Sequence, residues 1–232
     1  MIKILLILFL SILVVFFIAH ISIDYLFTNP TLWCEKTDYV LSSICDLYIP
    51  AFGIYLHFWC GIIVMILGMI QILPITRRYI IIHRILGNIY IVAAILVSIG
   101  GNIFIYTNGT SGGINMSIAF SIYGWLLFLA AIVTYIMARI GNIIYHHEWA
   151  IRLFALTYAS LFYRVCYFIL SLCGYHVTTT SDFYRPIDMI LDWFFFLFPM
   201  IICELFLQKK KIYSLLKKIF CKDQEILQDI VL

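Results

Sequence analysis

The chain has 232 residues, 64% of them hydrophobic and 12% charged, where an ordinary soluble domain carries roughly 25% charged residues. A mean hydropathy of +1.05 cannot be hidden in one water-soluble core, so a soluble globular protein is excluded and the bilayer must solvate most side chains. Aromatics at 17% exclude intrinsic disorder and collagen-like or coiled-coil chains, and the net charge of +3 comes with no nucleic-acid motif.

A bilayer-crossing helix needs about 20 mostly apolar residues. Six stretches meet this requirement and predict an all-α polytopic membrane helix bundle of six spans. The first covers residues 4–23; it lacks the small-residue cleavage site of a signal peptide and is read as a retained helix. The polar loop that follows, 24–49, holds Cys34 and Cys45, which are close enough in sequence to be bridged in an oxidising compartment or to stay free. Span two covers 50–74. Residues 85–138 contain no Asp, Glu, Lys or Arg, and the turn-rich run Thr107-Asn108-Gly109-Thr110-Ser111-Gly112-Gly113 divides them into spans three and four. Span five covers 149–174 and span six 186–207. Barrel strands are excluded because the runs are too long and too uniformly apolar to alternate.

The basic residues set the orientation. Lys3, Arg77, Arg78, Arg84, Arg139, Arg152 and the lysines from Lys209 to Lys222 fall on one side of a six-span bundle, and only Lys36 and Arg185 on the other. Under the positive-inside rule both termini are cytoplasmic. The chain thus reads as a six-helix transmembrane domain, 1–208, and a basic amphipathic cytoplasmic tail, 209–232. In the tail Ile212, Leu215, Leu216, Ile219 and Phe220 share one helical face, which suits either the inner lipid surface or a solvated positive-inside segment. Cys60, Cys166 and Cys203 lie inside apolar runs, where a thiol behaves as a small hydrophobe, and Cys221 lies in the tail.

An ionisable group within a span disfavours insertion by roughly 2.5 kcal/mol or more, so each is a candidate functional residue. Arg164 lies about 12 Å below the outer end of its helix and Asp192 about 9 Å below the end of the next. That shared depth makes them expected ion-pair partners, either as part of a site or simply to fix the packing of spans five and six. His57 lies about 10 Å deep, and His20 is near the same side. The face of His57 continues through Gly61, Gly68 and Gln71 at helical spacing, leaving room for a flat ligand or for another helix. On the cytoplasmic side His83, Gly87 and Tyr90 share a face, beside Arg84. His146, His147, Glu148 and Arg152 open the fifth helix. A band of headgroup contacts would place the same residue types there.

These residues also carry a resemblance. His57, then Gly68-Met69-Ile70-Gln71, Arg77, His83-Arg84-Ile85-Leu86-Gly87-Asn88-Ile89-Tyr90, Gly112-Gly113, Phe120, Trp125, His147-Glu148-Trp149-Ala150-Ile151-Arg152, Tyr158 and Arg164 resemble a family of bacterial predicted membrane proteins, the domain of unknown function DUF2306. The likeness covers about residues 50–170. It departs at Asn88, where the family commonly has Arg, and at Ala150, where it commonly has Met. The resemblance implies the topology, a bacterial inner-membrane location and the choice of candidate residues, and it implies no activity.

Three functions fit. The first is a b-type haem or quinone-linked redox membrane protein, with His83 and His147 or His146 as an inner axial pair, His57 and His20 as an outer pair, and Arg164 meeting a haem propionate. The second is a proton-linked transporter or small-molecule binding protein using Arg164, Asp192 and His57. The third is a metal-dependent membrane hydrolase or oxygenase built on His146, His147, Glu148 and His83. Partners expected beside the lipid bilayer are a quinone or redox protein and a second copy of the chain.

Overall fold

The structure, a computed structural model, describes Val15, residues 48–176 and residues 185–231, with side chains described within 52–176 and 185–209. Among these residues it contains six helices and no strand: α1 (Tyr48–Ile72), α2 (Pro74–Arg78), α3 (Ile80–Asn108), α4 (Gly113–Arg139), α5 (Ile143–Leu172) and α6 (Pro186–Val231). The expected first span, with His20, and the loop cysteines Cys34 and Cys45 lie outside the described residues, as do the side chains of the tail, Cys221 included. Five helical segments are long and apolar enough to cross a membrane: Phe52–Ile72, Ile80–Asn108, Gly113–Arg139, Ile143–Leu172 and Pro186–Lys209.

Local chemistry sets the helix ends. Pro74 stands at the start of α2, where its missing N–H is harmless, after an extended Leu73 that breaks α1. The carbonyls freed at that break are recaptured. Thr76 Oγ1 donates to Ile70 O at 3.0 Å and Leu73 O at 2.8 Å, and Arg77 Nη2 donates to Ile72 O at 3.2 Å. Between α4 and α5, Gly141 adopts φ +78°, a region closed to most side chains, and Asn142 then caps α5 by accepting from Tyr145 N at 3.3 Å. Helix α5 therefore starts at Ile143, ahead of the expected 149, and His146, His147 and Glu148 belong to its first turns. Hydropathy located the apolar stretch, whereas the glycine turn and the asparagine cap located the helix start. At the other extreme, α6 runs through the expected boundary at 207 to Val231 without a break, because lysine is a good helix former.

Consecutive helices pack on one another, with α1 laid along α3, α6 also touching α4, and α1 reaching α5. The α1–α3 contact is backbone on backbone. A Cβ on Gly100 would stand 2.7 Å from Gly53 O and 2.8 Å from His57 N, and a Cβ on Gly53 would stand 2.9 Å from Gly100 O. Small residues are what let two membrane helices approach this closely. The core of the bundle is aliphatic and aromatic. Leu127, Ala131, Leu153, Leu156, Phe195 and Phe196 are essentially solvent-free, and the ring of Phe195 lies 4.8, 5.0 and 5.1 Å from those of Phe120, Tyr123 and Tyr163. These spacings are in the favoured range for offset or edge-on aromatic pairs.

Adding bulk at Gly100 forces α1 from α3. We expect Gly100→Val to destabilise the protein by about 1–3 kcal/mol, whereas Gly61→Ala, whose new Cβ would have nothing within 4 Å, stays close to neutral. Thermal unfolding in detergent compares the two directly.

A polar cavity between the helices

The same close approach that joins α1 to α3 fixes a histidine. One turn after Gly53, the imidazole of His57 lies against Gly101, where a Cβ would come within 3.0 Å of Nδ1. That nitrogen is 3.0 Å from Val97 O. A carbonyl only accepts, so Nδ1 carries a proton, and in the neutral tautomer the lone pair is then on Nε2. His57 lines a cavity of about 190 Å³ whose wall comes from five helices, with Gly61 on α1, Ser98, Gly101 and Asn102 on α3, Phe120 and Tyr123 on α4, Ser160, Tyr163 and Arg164 on α5, and Phe195 on α6. Typical pockets for drug-sized ligands measure roughly 300–1,000 Å³, so this one suits a molecule of about one ring.

The polar groups around the cavity are held by neighbouring helices. Asn102 Nδ2 donates to Ser98 O at 2.9 Å, and Asn102 Oδ1 accepts from Ser121 Oγ at 2.8 Å. Gly124 makes this possible, since a Cβ there would come within 2.5 Å of the amide nitrogen of Asn102. Ser98 Oγ donates back to Ala94 O at 2.9 Å and Thr107 Oγ1 to Ile103 O at 2.7 Å. Thr157 and Met65, also on the cavity wall, are held by tyrosines: Tyr90 OH meets Thr157 Oγ1 at 2.8 Å, and Tyr158 OH donates to Met65 O at 2.5 Å. Gly68 faces these two tyrosine rings, at 3.2 and 3.4 Å from a built Cβ. The His57–Gly61–Gly68–Gln71 face thus divides between the cavity and close helix packing.

Arg164 and Asp192 are not brought together. Tyr163 and Arg164 are successive residues about 100° apart on α5. It is Tyr163 that faces Asp192, while Arg164 lines the His57 cavity. Asp192 Oδ2 accepts instead from Asn115 Nδ2 at 2.9 Å, its Oδ1 lies 3.3 Å from Tyr163 OH, and Trp193 Nε1 donates to Asn115 Oδ1 at 3.1 Å. One turn earlier Asp188 accepts from Tyr167 OH at 2.7 Å, from Arg185 Nε at 3.3 Å and from Tyr175 OH. Both carboxylates are 0% exposed. Tyr175, beyond the end of α5, has its hydroxyl pushed up to about 12, first by burial and then by the adjacent Asp188, with Arg185 opposing.

At the opposite, arginine-rich end, Gln71 Nε2 donates to His83 O at 3.0 Å beside Gly87. His83 Nδ1 is buried with no hydrogen-bond partner among the described residues. Its electrostatic neighbours are His146 and Arg77, and His146 Nδ1 donates in turn to Thr134 O at 3.0 Å. His147 and Arg84 are exposed, so the histidine that meets His83 is His146. Arg152 Nε and Nη2 donate to Glu204 at 2.5 and 3.0 Å, with Glu148 at 4.0 Å and the Trp149 ring centroid at 4.9 Å. The metal-enzyme reading is not supported: no group of three or more His, Cys, Asp or Glu able to hold a metal ion occurs among the described residues.

Sequence reasoning passed over Asp188, Glu204, Asn102, Asn115, Tyr163 and Tyr167. A signal existed for Asp188. Asp188 and Asp192 are in helical phase with the buried Leu191, Phe195 and Phe196, so they sit on the stripe that a membrane helix turns toward its neighbours.

The model of a family described as predicted membrane protein (DUF2306) matches residues 54–207, more than half of the chain. No curated protein matches the chain. No solved structure matches it.

The Arg152–Glu204 pair joins α5 to α6 by a two-pronged bond. A double-mutant cycle with Arg152→Gln and Glu204→Gln is expected to give a coupling energy of about 1–3 kcal/mol, read as loss of thermal stability, with the single Arg152→Gln the most destabilised member because it leaves Glu148 and Glu204 without their cation.

Proposed function

We propose that this chain, which belongs to the DUF2306 family of predicted membrane proteins, binds the headgroup of a quinone in the His57 cavity as part of a quinone-linked redox function in the cell membrane. The observation that carries this reading is the bond from His57 Nδ1 to Val97 O, which leaves the Nε2 lone pair as an acceptor for a quinol hydroxyl. Arg164, on the same cavity wall, supplies a donor for the carbonyl of the oxidised ring. Gly61 leaves one side open, and Phe120 and Tyr163 offer aromatic faces. The volume of about 190 Å³ accords with a single ring, and a lipid-borne ligand accords with a site among apolar helices.

A haem fits less well. It needs two facing imidazoles and more room, and His57 is the one histidine among the described residues that line the cavity. The basic residues at the Arg77 end support a cytoplasmic placement of that end, with Arg185 and the 109–112 turn outside. A bacterial inner membrane and association of two copies remain part of the same proposal. A small anion in a proton-linked transporter is the second reading, favoured by Arg164 on the cavity wall.

Titrating a short-tailed benzoquinol or naphthoquinol into the full chain in lipid nanodiscs, followed by quenching of tryptophan fluorescence, tests the reading. Saturable binding is expected, weakened roughly tenfold or more in His57→Ala, as for loss of one buried hydrogen bond, and abolished by Gly61→Leu. Absence of saturable binding, or indifference to His57→Ala, overturns it. A dithionite-reduced absorption spectrum checks the haem alternative: a haem band that vanishes in His57→Ala would replace the quinone.

A further inference from the structure

At the Arg185 end, two carboxylates sit at 0% exposure on one face of α6, four residues apart. Two buried negative charges in so apolar a setting are strongly disfavoured unless each is matched. Among the described residues one of them faces a cation, since Arg185 Nε lies 3.3 Å from Asp188 Oδ2, whereas the partners of Asp192 are the neutral Asn115 and Tyr163. Between the two acids runs a continuous chain of hydroxyls. Asp192 Oδ1 is 3.3 Å from Tyr163 OH, Tyr163 OH is 3.4 Å from Tyr167 OH, and Tyr167 OH is 2.7 Å from Asp188 Oδ1.

We infer that Asp188 and Asp192 hold one proton between them and that Tyr163 and Tyr167 relay it, forming a proton path from the Arg185 end of the bundle to the wall of the His57 cavity. In the resting arrangement Asp192 is protonated and Asp188 is a carboxylate paired with Arg185. Asp192 then donates to Tyr163, Tyr163 to Tyr167, and Tyr167 to Asp188. Transfer moves each proton one place along. Asp192 gives its proton to the Tyr163 oxygen as Tyr163 gives its own to Tyr167 and Tyr167 gives its own to Asp188. Both tyrosines end neutral, and one negative charge has passed from Asp188 to Asp192.

Among the described residues the titratable and charged groups around the path are Arg185 and Tyr175 at its entrance and the two tyrosines within it, with Asn115 and Trp193 as uncharged neighbours. Arg185 also donates to His176 O at 3.1 Å, which ties the entrance to the end of α5. Tyr163 belongs to both structures, since its ring lines the cavity and its hydroxyl is a link of the chain. The path deepens the cavity reading above by giving its ligand a route for protons, toward the outside in the orientation proposed there.

Infrared spectroscopy of the full chain in nanodiscs tests the relay with no ligand present, so its outcome is independent of whether a quinone binds. A protonated-carboxyl band is expected at neutral pH, absent in Asp192→Asn. Its shift on transfer to heavy water should slow about tenfold or more in Tyr167→Phe and in Tyr163→Phe, because each removes one oxygen from the path while keeping the ring, and exchange must then await local opening. A structural role alone would move the unfolding temperature without slowing this exchange. No protonated carboxyl in the parent, a band that survives Asp192→Asn, or unchanged exchange in either folded phenylalanine variant overturns the inference.

Discussion

The contact between Gly53 and Gly100 governs the rest of the molecule. Apolar side chains gain little from meeting one another in lipid, so helices associate where their backbones can come close and where polar groups find partners. Here the two requirements coincide. Bringing α1 within backbone distance of α3 puts His57 against Gly101 and its Nδ1 onto Val97 O. Without that approach the imidazole would face an apolar wall, and the cavity would lose its acceptor.

Polar side chains in the described helices follow the same logic. The buried ones are satisfied across a helix boundary or back onto their own helix: Tyr123 on Leu156 O, Tyr158 on Met65 O, Arg152 on Glu204 and Asp192 on Asn115. The exception, His83 Nδ1, lies at the arginine-rich end near the edge of the apolar layer, where an unpartnered nitrogen is least disfavoured. Charges are neutralised in separate places, with Arg152 serving Glu148 and Glu204 at one end and Arg185 serving Asp188 at the other.

Much of this was legible in the sequence. Apolar length gives the five described spans, and the turn-rich run after Thr107 marks the break between α3 and α4. The face of His57 reads correctly because a period of 3.6 residues is a property of one helix. Pairing between helices is another matter. Depth alone suggested that Arg164 meets Asp192, yet one step of about 100° along α5 puts Tyr163 in that position and turns Arg164 to the cavity. Neutral partners such as Asn102, Asn115 and the tyrosines carry no hydropathy penalty large enough to draw notice. The start of α5 was missed because a glycine and an asparagine set it, eight and seven residues ahead of the expected start at 149.

The way α3 satisfies its own side chains has a mechanical consequence. Ser98, Asn102 and Thr107 each donate a hydrogen bond back to a carbonyl one turn earlier, so three carbonyls along α3 serve two donors. Such sharing loosens the helical ladder and favours curvature. The wall that holds Val97 and Gly101 against His57 is consequently a compliant one, able to bow without parting the aromatic stack of α4, α5 and α6.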